Sequence, residues 1–138
     1  SPNEAAKLFY VRAALEGASA EIAAQTVTQK DIKYMRTLSN KMDEAWEVND
    51  AGIFLENNFL FHSYIYAMAS NTVLERMAEN LYIRTGPWLA KGIKNLSGSK
   101  AWQKSHDGII DALSSRDSIM ARKLIEEDSG WGKQLYQE

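Results

Sequence analysis

Apolar residues recur at intervals of three and four along almost the whole chain, and this spacing constrains the fold more than any other feature. Proline, which interrupts helices, occurs only at Pro2 and Pro87 among the 138 residues. Pro2 is compatible with a helix start, because the first amides of a helix have no partner within it. No alternating strand pattern, repeat or low-complexity stretch is visible. The sequence therefore predicts an all-α fold.

Capping and turn residues divide the chain into six predicted helices. Thr28 and Asp31 have the spacing of a capping box. Pro87 cannot donate a hydrogen bond to the carbonyl of Ile83, so we expect a kink or a restart in the fourth helix. The helices are expected at about residues 3–24, 28–48, 53–69, from 72 to a loop at 95–99, 100–114 and 116–135. Short connections favour a compact antiparallel bundle.

Length and composition exclude several classes of protein. A chain of 138 residues fits one domain, and we assign residues 1–138 to it. The absence of cysteine excludes disulfides and thiolate metal sites. The net charge is −2 and no basic run occurs, so we do not expect this segment to bind DNA by itself. No apolar run approaches the ~20 residues of a membrane span, and no signal peptide is visible.

Six polar residues occupy positions where the helical period calls for apolar ones, namely Arg12, Asn58, His62, Arg84, His106 and Asp128. Burying any of them costs free energy unless it finds a partner. Both histidines of the chain belong to this set, and Asn58 precedes His62 by one turn. Two imidazoles, a carboxylate and an amide oxygen suit a divalent cation such as zinc, nickel, manganese or iron. Hydrogen-bonded core histidines explain the pattern equally well, so both interpretations stay open.

The two arginines of this set, Arg12 and Arg84, each require an anion if they are buried. A guanidinium has a planar fork that matches a carboxylate. That carboxylate belongs either to a small organic acid or to the protein itself, where Glu16, Glu56 and Glu79 are the candidates. From the residues alone we favour the internal salt bridge.

Three segments, in this order, resemble a known family: Val11–Glu16 with Ala23-Ala24, Asn58–His62 with Ser70-Asn71, and His106–Leu113 with Arg116-Asp117 and Ala121. The first resembles the opening helix of the FCD domain, which is the C-terminal domain of FadR-subfamily GntR-type transcription regulators. The others resemble the D-x-x-F-H and H-x-x-I-x-x-A-[IL] segments of that family. The resemblance extends over essentially the whole chain.

The resemblance implies an antiparallel bundle of six to seven helices with a central ligand cavity. In this family the cavity commonly holds one divalent metal through an Asp and three His, beside a small organic acid. The four ligand positions fall here on Asn58, His62, His106 and Asp128. Asn58 replaces the usual Asp and Asp128 replaces the usual last His, so one carboxylate is retained and one nitrogen donor becomes a harder oxygen.

The resemblance also implies a role for the arginines and for the domain. The effector-facing arginines of the family are similar in position to Arg12 and Arg84. A domain of this kind senses an effector, forms homodimers, catalyses no reaction and is cytoplasmic. The chain begins with Ser1 rather than Met, so we expect a segment upstream. The resemblance implies that this segment is a winged-helix domain and that DNA binds only through it.

Two other classes of protein remain open. A helical di-metal enzyme needs Glu-x-x-His pairs, but neither histidine is preceded by Glu at that spacing. A mononuclear hydrolase needs a general base, for which Glu126 or Glu127 is the candidate. In a metal-free helical dimerisation module, the six polar residues would satisfy one another inside the core.

Overall fold

The computed structural model describes residues 2–95 and 100–130, and within these ranges it contains six α-helices and no strand. The helices are α1 (Pro2–Thr26), α2 (Gln29–Glu47), α3 (Ala51–Met68), α4 (Thr72–Asn95), α5 (Ala101–Ser114) and α6 (Ser118–Gly130). This confirms the all-α prediction. Most of the loop expected at 95–99, and the end of the sixth helix with Trp131 and Leu135, lie outside the described residues. No described helix is long and apolar enough to span a membrane.

Helix α1 is the centre of the bundle and packs against α3, α4, α5 and α6. Small side chains make this possible, because Ala5, Ala20, Ala23 and Ala24 are all completely buried along its length. A helix surrounded by neighbours exposes few faces to solvent, so polar side chains on it enter the core. The position of α1 therefore decides which polar residues form the candidate site.

The main apolar core is formed by α2, α3, α5 and α6 together with the buried alanines at the end of α1. Its completely buried members include Met35, Met42, Phe61, Ile65, Ile109, Ile110, Leu113 and Ile125. A smaller cluster joins α3 and α4 and is formed by Tyr66, Ala78, Tyr82 and Leu89. The hydroxyl groups of its two tyrosines give this second cluster a polar edge.

Four of the described helices, α2, α3, α4 and α6, begin at side-chain caps. The Thr28 hydroxyl accepts a hydrogen bond from the amide of Asp31 at 3.2 Å, and the Asp31 carboxylate accepts one from the amide of Thr28 at 2.9 Å. This reciprocal pair confirms the predicted capping box. The carboxylate of Asp50 caps α3 by accepting from the amide of Ile53 at 3.0 Å. Helix α3 therefore begins at Ala51, two residues before the predicted start.

The sixth helix begins at Ser118, two residues after the predicted start near Arg116. Arg116 adopts a left-handed backbone conformation with φ of 56°, which a helix cannot contain. Its guanidinium donates to the carbonyl oxygens of Gln25 at 2.6 Å and Val27 at 2.8 Å. The negative end of the α1 helix dipole stabilises this cation. The two hydrogen bonds also connect the α5–α6 turn to the end of α1.

Helix α4 passes through Pro87 without interruption, so the restart that the sequence allowed does not occur. Pro87 and Ile83 both lie on the exposed side of the helix, where Ile83 is 60% accessible. Water can therefore satisfy the carbonyl that the proline leaves without a donor. The absent hydrogen bond costs less on this face than it would in the core.

We expect Thr28→Ala to lower the free energy of unfolding by about 1 kcal/mol, because the amide of Asp31 loses its capping acceptor. Thr26→Ala is a matched control, since Thr26 is an exposed residue at the end of α1. Urea denaturation followed by circular dichroism measures both. Equal effects of the two substitutions would contradict a capping role for Thr28.

Candidate metal centre

The carboxylate of Glu16, on the central helix, is completely buried and accepts four hydrogen bonds from side chains. The Arg12 Nε donates to it at 2.9 Å, and the Nδ1 of His62 lies 3.1 Å from the same oxygen. The hydroxyl groups of Tyr66 and Ser129 complete the set. The internal salt bridge considered for Arg12 is therefore present, and Glu16 is its partner.

Arg12 is held by side chains of two helices, α1 and α4. Its Nη1 donates to the hydroxyl of Thr85 at 3.1 Å, and that hydroxyl in turn donates to the carbonyl of Tyr82 at 2.8 Å. The guanidinium carbon lies 4.4 Å from the centre of the Tyr82 ring, which places the cation over an aromatic face. These contacts fix the guanidinium at the edge of the smaller cluster.

The electrostatics of this pair follow from burial and from proximity. Burial alone would raise the pKa of Glu16, but Arg12 and His62 more than offset this effect and lower the pKa to about 2. Burial alone would lower the pKa of Arg12, but the charge of Glu16 raises it further above its ordinary value. Both groups are therefore ionised at neutral pH, and each stabilises the charge of the other.

His62 connects Glu16 to Asp128, which lies on α6. Its Nδ1 faces Glu16, and its Nε2 lies 3.2 Å from the Oδ2 atom of Asp128. The Nε2 of His106 lies 3.6 Å from this same oxygen. Burial alone would lower the pKa of His62, but the two carboxylates more than offset it and raise the pKa to about 9. The pKa of Asp128 is held well below its usual value by the two histidines, despite its burial.

Nitrogen and oxygen atoms of three residues thus converge on one point, where His62, His106 and Asp128 each present a ligand atom within 4.8 Å of the others. Ligand atoms bonded to zinc at ~2.0–2.1 Å in a tetrahedron are about 3.3 Å apart. The separations of 3.2 Å and 3.6 Å from the Asp128 oxygen are close to that value. The three residues therefore fit a divalent cation, and the same geometry also serves a proton shared by His62 and Asp128.

The histidines differ in what supports them from behind. The Nδ1 of His62 is oriented by Glu16, which leaves Nε2 free to act as a ligand. The Nδ1 of His106 has no hydrogen-bond partner among the described residues, although the ring stacks on Phe61 with centroids 4.3 Å apart. His62 therefore has the carboxylate support typical of metal-binding histidines, whereas His106 is positioned by packing.

Asn58, the fourth residue predicted as a ligand, lies on the wall of the same cavity as the other three. Its Nδ2 donates to the hydroxyl of Tyr82 at 2.5 Å, so its carbonyl oxygen is the atom left for a cation. The cavity has a volume of about 20 Å³ and is also lined by Arg12. This volume corresponds to roughly one water molecule or one ion.

Arg84 is the predicted site residue that the structure does not bring to this cavity. Its side chain is exposed, whereas the next residue, Thr85, is completely buried and contacts Arg12. Successive residues of a helix point about 100° apart, so only one of the two can face the core. The row Ala78, Tyr82, Thr85 and Leu89 faces inward. We predicted an inward-facing row that contained Arg84, but the row that faces inward lies one residue further along α4.

We expect Glu16→Gln to lower the free energy of unfolding by about 3–5 kcal/mol, because it leaves Arg12 buried without a counter-charge and removes one of the two carboxylates beside His62. Glu21→Gln on the same helix is the control, since Glu21 is 40% exposed and pairs with Arg122 at 3.1 Å. That control should change the free energy by no more than about 1 kcal/mol. Urea denaturation that gives the same loss for both variants would show that Glu16 is not a structural centre.

We expect the metal-free protein to lose stability as the pH rises from about 6.5 to about 9. The pKa of His62 is raised from 6.5 to about 9 on folding, so its contribution is complete below the lower value and disappears through the higher one. Glu16 acts oppositely, because its pKa falls from 4.5 to about 2 and its contribution is lost over that acid range. Denaturation in a chelator tests both contributions, from about pH 6.5 to about pH 9 for His62 and from pH 4.5 to about pH 2 for Glu16. A profile for His62→Gln with the same alkaline decline would contradict the assignment.

Comparisons with known proteins agree with this architecture. Residues 7–128 match the FCD domain family. The chain is 30% identical over 119 residues to the HTH-type transcriptional regulator McbR of Escherichia coli (strain K12), and this match covers 85% of the chain but only 54% of McbR. The chain therefore spans about half the length of this curated relative.

Solved structures show the same fold. The structure of E. coli McbR/YncC has a TM-score of 0.86 at 24% identity and covers 95% of this chain and 63% of that one. A GntR protein of Streptococcus agalactiae has a TM-score of 0.79 at 17% identity, and the match covers 97% of this chain and 60% of the S. agalactiae chain. The six-helix bundle, the order of the polar residues and the match over 7–128 lead to one conclusion: the chain belongs to the FCD domain family and is homologous to GntR-family regulators.

Proposed function

We propose that this chain is the ligand-sensing and dimerisation domain of a GntR-type transcription regulator, and that its cavity binds one divalent cation together with a small carboxylate. One observation carries the proposal, namely the convergence of the ligand atoms of His62, His106 and Asp128 beside a buried guanidinium. Asn58 is the proposed fourth ligand, and Arg12 is the proposed partner of the carboxylate.

The charges of the site support an anionic effector. Without a metal, Arg12 and protonated His62 balance the two carboxylates of Glu16 and Asp128. A divalent cation adds two positive charges, and His62 must release its proton to bind it. One positive charge then remains in a buried site. A single carboxylate beside Arg12 neutralises that charge, since a buried charge needs a partner.

The donor set limits the choice of metal. Two imidazole nitrogens suit zinc and nickel, whereas the oxygens of Asp128 and Asn58 move the preference toward harder ions such as manganese. When bound, such an ion supplies positive charge and open coordination positions for oxygen atoms of the effector. Glu16 contributes by keeping the proton of His62 on Nδ1, which orients Nε2 toward the cation.

The size of the cavity connects binding to a change of shape. A volume of about 20 Å³ admits an ion but not a carboxylate with several atoms. A second cavity of about 270 Å³ lies beside the α2–α3 turn, and Phe54 lines both. Movement of Phe54 would open the site toward this larger space. Because residues of five helices line the site, an effector binds the expanded arrangement better and shifts the bundle toward it.

The remaining parts of the regulator follow from the homology to McbR and are proposals of the same kind. We infer a winged-helix domain upstream, DNA binding through that domain, a homodimer formed by the present domain, and a cytoplasmic location. The effector would then alter DNA binding through the relative placement of the two protomers, which requires different affinities for two states.

An enzymatic role receives no support from the geometry. Glu126, one candidate for a general base, accepts from Arg122 at 2.9 Å, and Glu127 is exposed. Neither residue lines the candidate site. The metal-free dimerisation module is the stronger alternative, because Glu16 and His62 already satisfy the buried polar groups around them.

Metal binding separates the two possibilities. We expect metal-free protein, titrated with zinc, nickel or manganese in a calorimeter, to bind one ion per chain. His62→Ala or Asp128→Ala should weaken binding by at least about 100-fold, and Asn58→Ala by about 10-fold. Asp107→Ala is the matched control, because Asp107 follows His106 but is exposed. Absence of binding by the wild type would favour the metal-free module.

A further inference from the structure

Two buried nitrogen atoms on the wall of the site lack a hydrogen-bond partner among the described residues, namely the Nδ1 of His106 and the Nε1 of Trp102, and only the indole nitrogen is always a donor. Trp102, in the first turn of α5, is only 3% exposed, and its indole ring lines the candidate site. Among the described residues, its Nε1 atom has no hydrogen-bond partner. A buried N–H without a partner is strongly disfavoured, so such groups mark places where a water or a ligand supplies the acceptor.

The surroundings of Trp102 explain why the protein does not satisfy this donor. The ring packs against Phe54 with centroids 4.9 Å apart and against Trp46 with centroids 5.7 Å apart. Aromatic carbon surfaces offer no oxygen atom for the indole N–H. The acceptor must therefore come from the cavity, which Trp102 and Phe54 border together.

The position of Trp102 relative to the metal-binding residues determines how far apart two oxygen atoms of the effector must lie. The rings of His62 and His106 have centroids 5.8 Å apart, and those of His106 and Trp102 are again 5.8 Å apart. Arg12 lies on the Tyr82 side of His62. A carboxylate paired with Arg12 therefore needs a second oxygen, carried on another carbon, to reach the indole N–H.

The chemistry of that second oxygen follows from charge. Arg12 is the only lysine or arginine among the described residues that line the cavity, and Trp102 is a neutral donor within an aromatic cluster. A second carboxylate there would be buried without a counter-charge, whereas a hydroxyl or carbonyl oxygen would not. We propose that the effector is a small hydroxy or keto acid whose second oxygen accepts a hydrogen bond from Trp102. This inference rests on the proposed carboxylate-binding function.

The test uses four acids with the same carbon skeleton, namely butyrate and 2-, 3- and 4-hydroxybutyrate, each titrated into the metal-loaded chain. We expect at least one hydroxy acid to bind about 5- to 10-fold more tightly than butyrate, as one neutral hydrogen bond contributes. Trp102→Phe should abolish this gain, so that the variant binds the hydroxy acid no more tightly than it binds butyrate. Trp46→Phe is the matched control, because Trp46 packs against Trp102 but does not line the candidate site.

A spectroscopic measurement on the wild-type chain keeps the test independent of how the variants fold. The indole N–H resonance of Trp102 should move downfield with the hydroxy acid and not with butyrate. Equal affinities for all four acids, or a gain that persists in Trp102→Phe, would overturn the assignment of Trp102. If Arg12→Lys still weakens butyrate binding in that case, the proposed function stands. If none of the four acids binds, both proposals fail.

Discussion

The buried carboxylate of Glu16 is the interaction on which the rest of the site depends. It lies on the one helix that contacts four others, and it accepts from side chains on α1, α3 and α6. A buried ion pair is stabilising only when its remaining hydrogen-bond positions are filled, and here two hydroxyl groups fill them. Arg12 and His62 can remain charged in the core because this carboxylate is present. Glu16 therefore fixes both the cationic side of the cavity and the tautomer of its first histidine.

The same network makes the site able to exist in two charge states. Two carboxylates, one guanidinium and one protonated imidazole give a neutral cluster in which His62 bridges Glu16 and Asp128. Replacement of the imidazole proton by a cation leaves positive charge in a volume of about 20 Å³. Under the proposed function, binding of metal and of a carboxylate would be coupled through electrostatics, and the carboxylate would also displace packed side chains. Occupancy of the site would then be linked to the positions of the five helices whose residues line it.

Sequence reasoning found most of the candidate site but made an error of one residue on α4. That helix has two adjacent rows of apolar residues, so the period of three and four does not decide which row faces inward. The choice of the wrong row placed Arg84 in the core and left Thr85 unnoticed. Glu16 appeared only as one of three possible salt-bridge partners, because a glutamate in a helix is ordinarily exposed. The unpartnered Nε1 of Trp102 could not be foreseen from the sequence, because it depends on which side chains surround the ring.

The sequence by itself determined the six helices, the capping box at Thr28 and the polar residues that interrupt the apolar rows. These features depend on hydrogen bonds and side-chain contacts between residues within about four positions of one another. Only the tertiary structure decided that His62, His106 and Asp128 meet, and that Glu16 serves partners as far as 113 positions away. Such meetings depend on how closely α1 is approached by its neighbours, which is set by the packing of small residues from several helices at once.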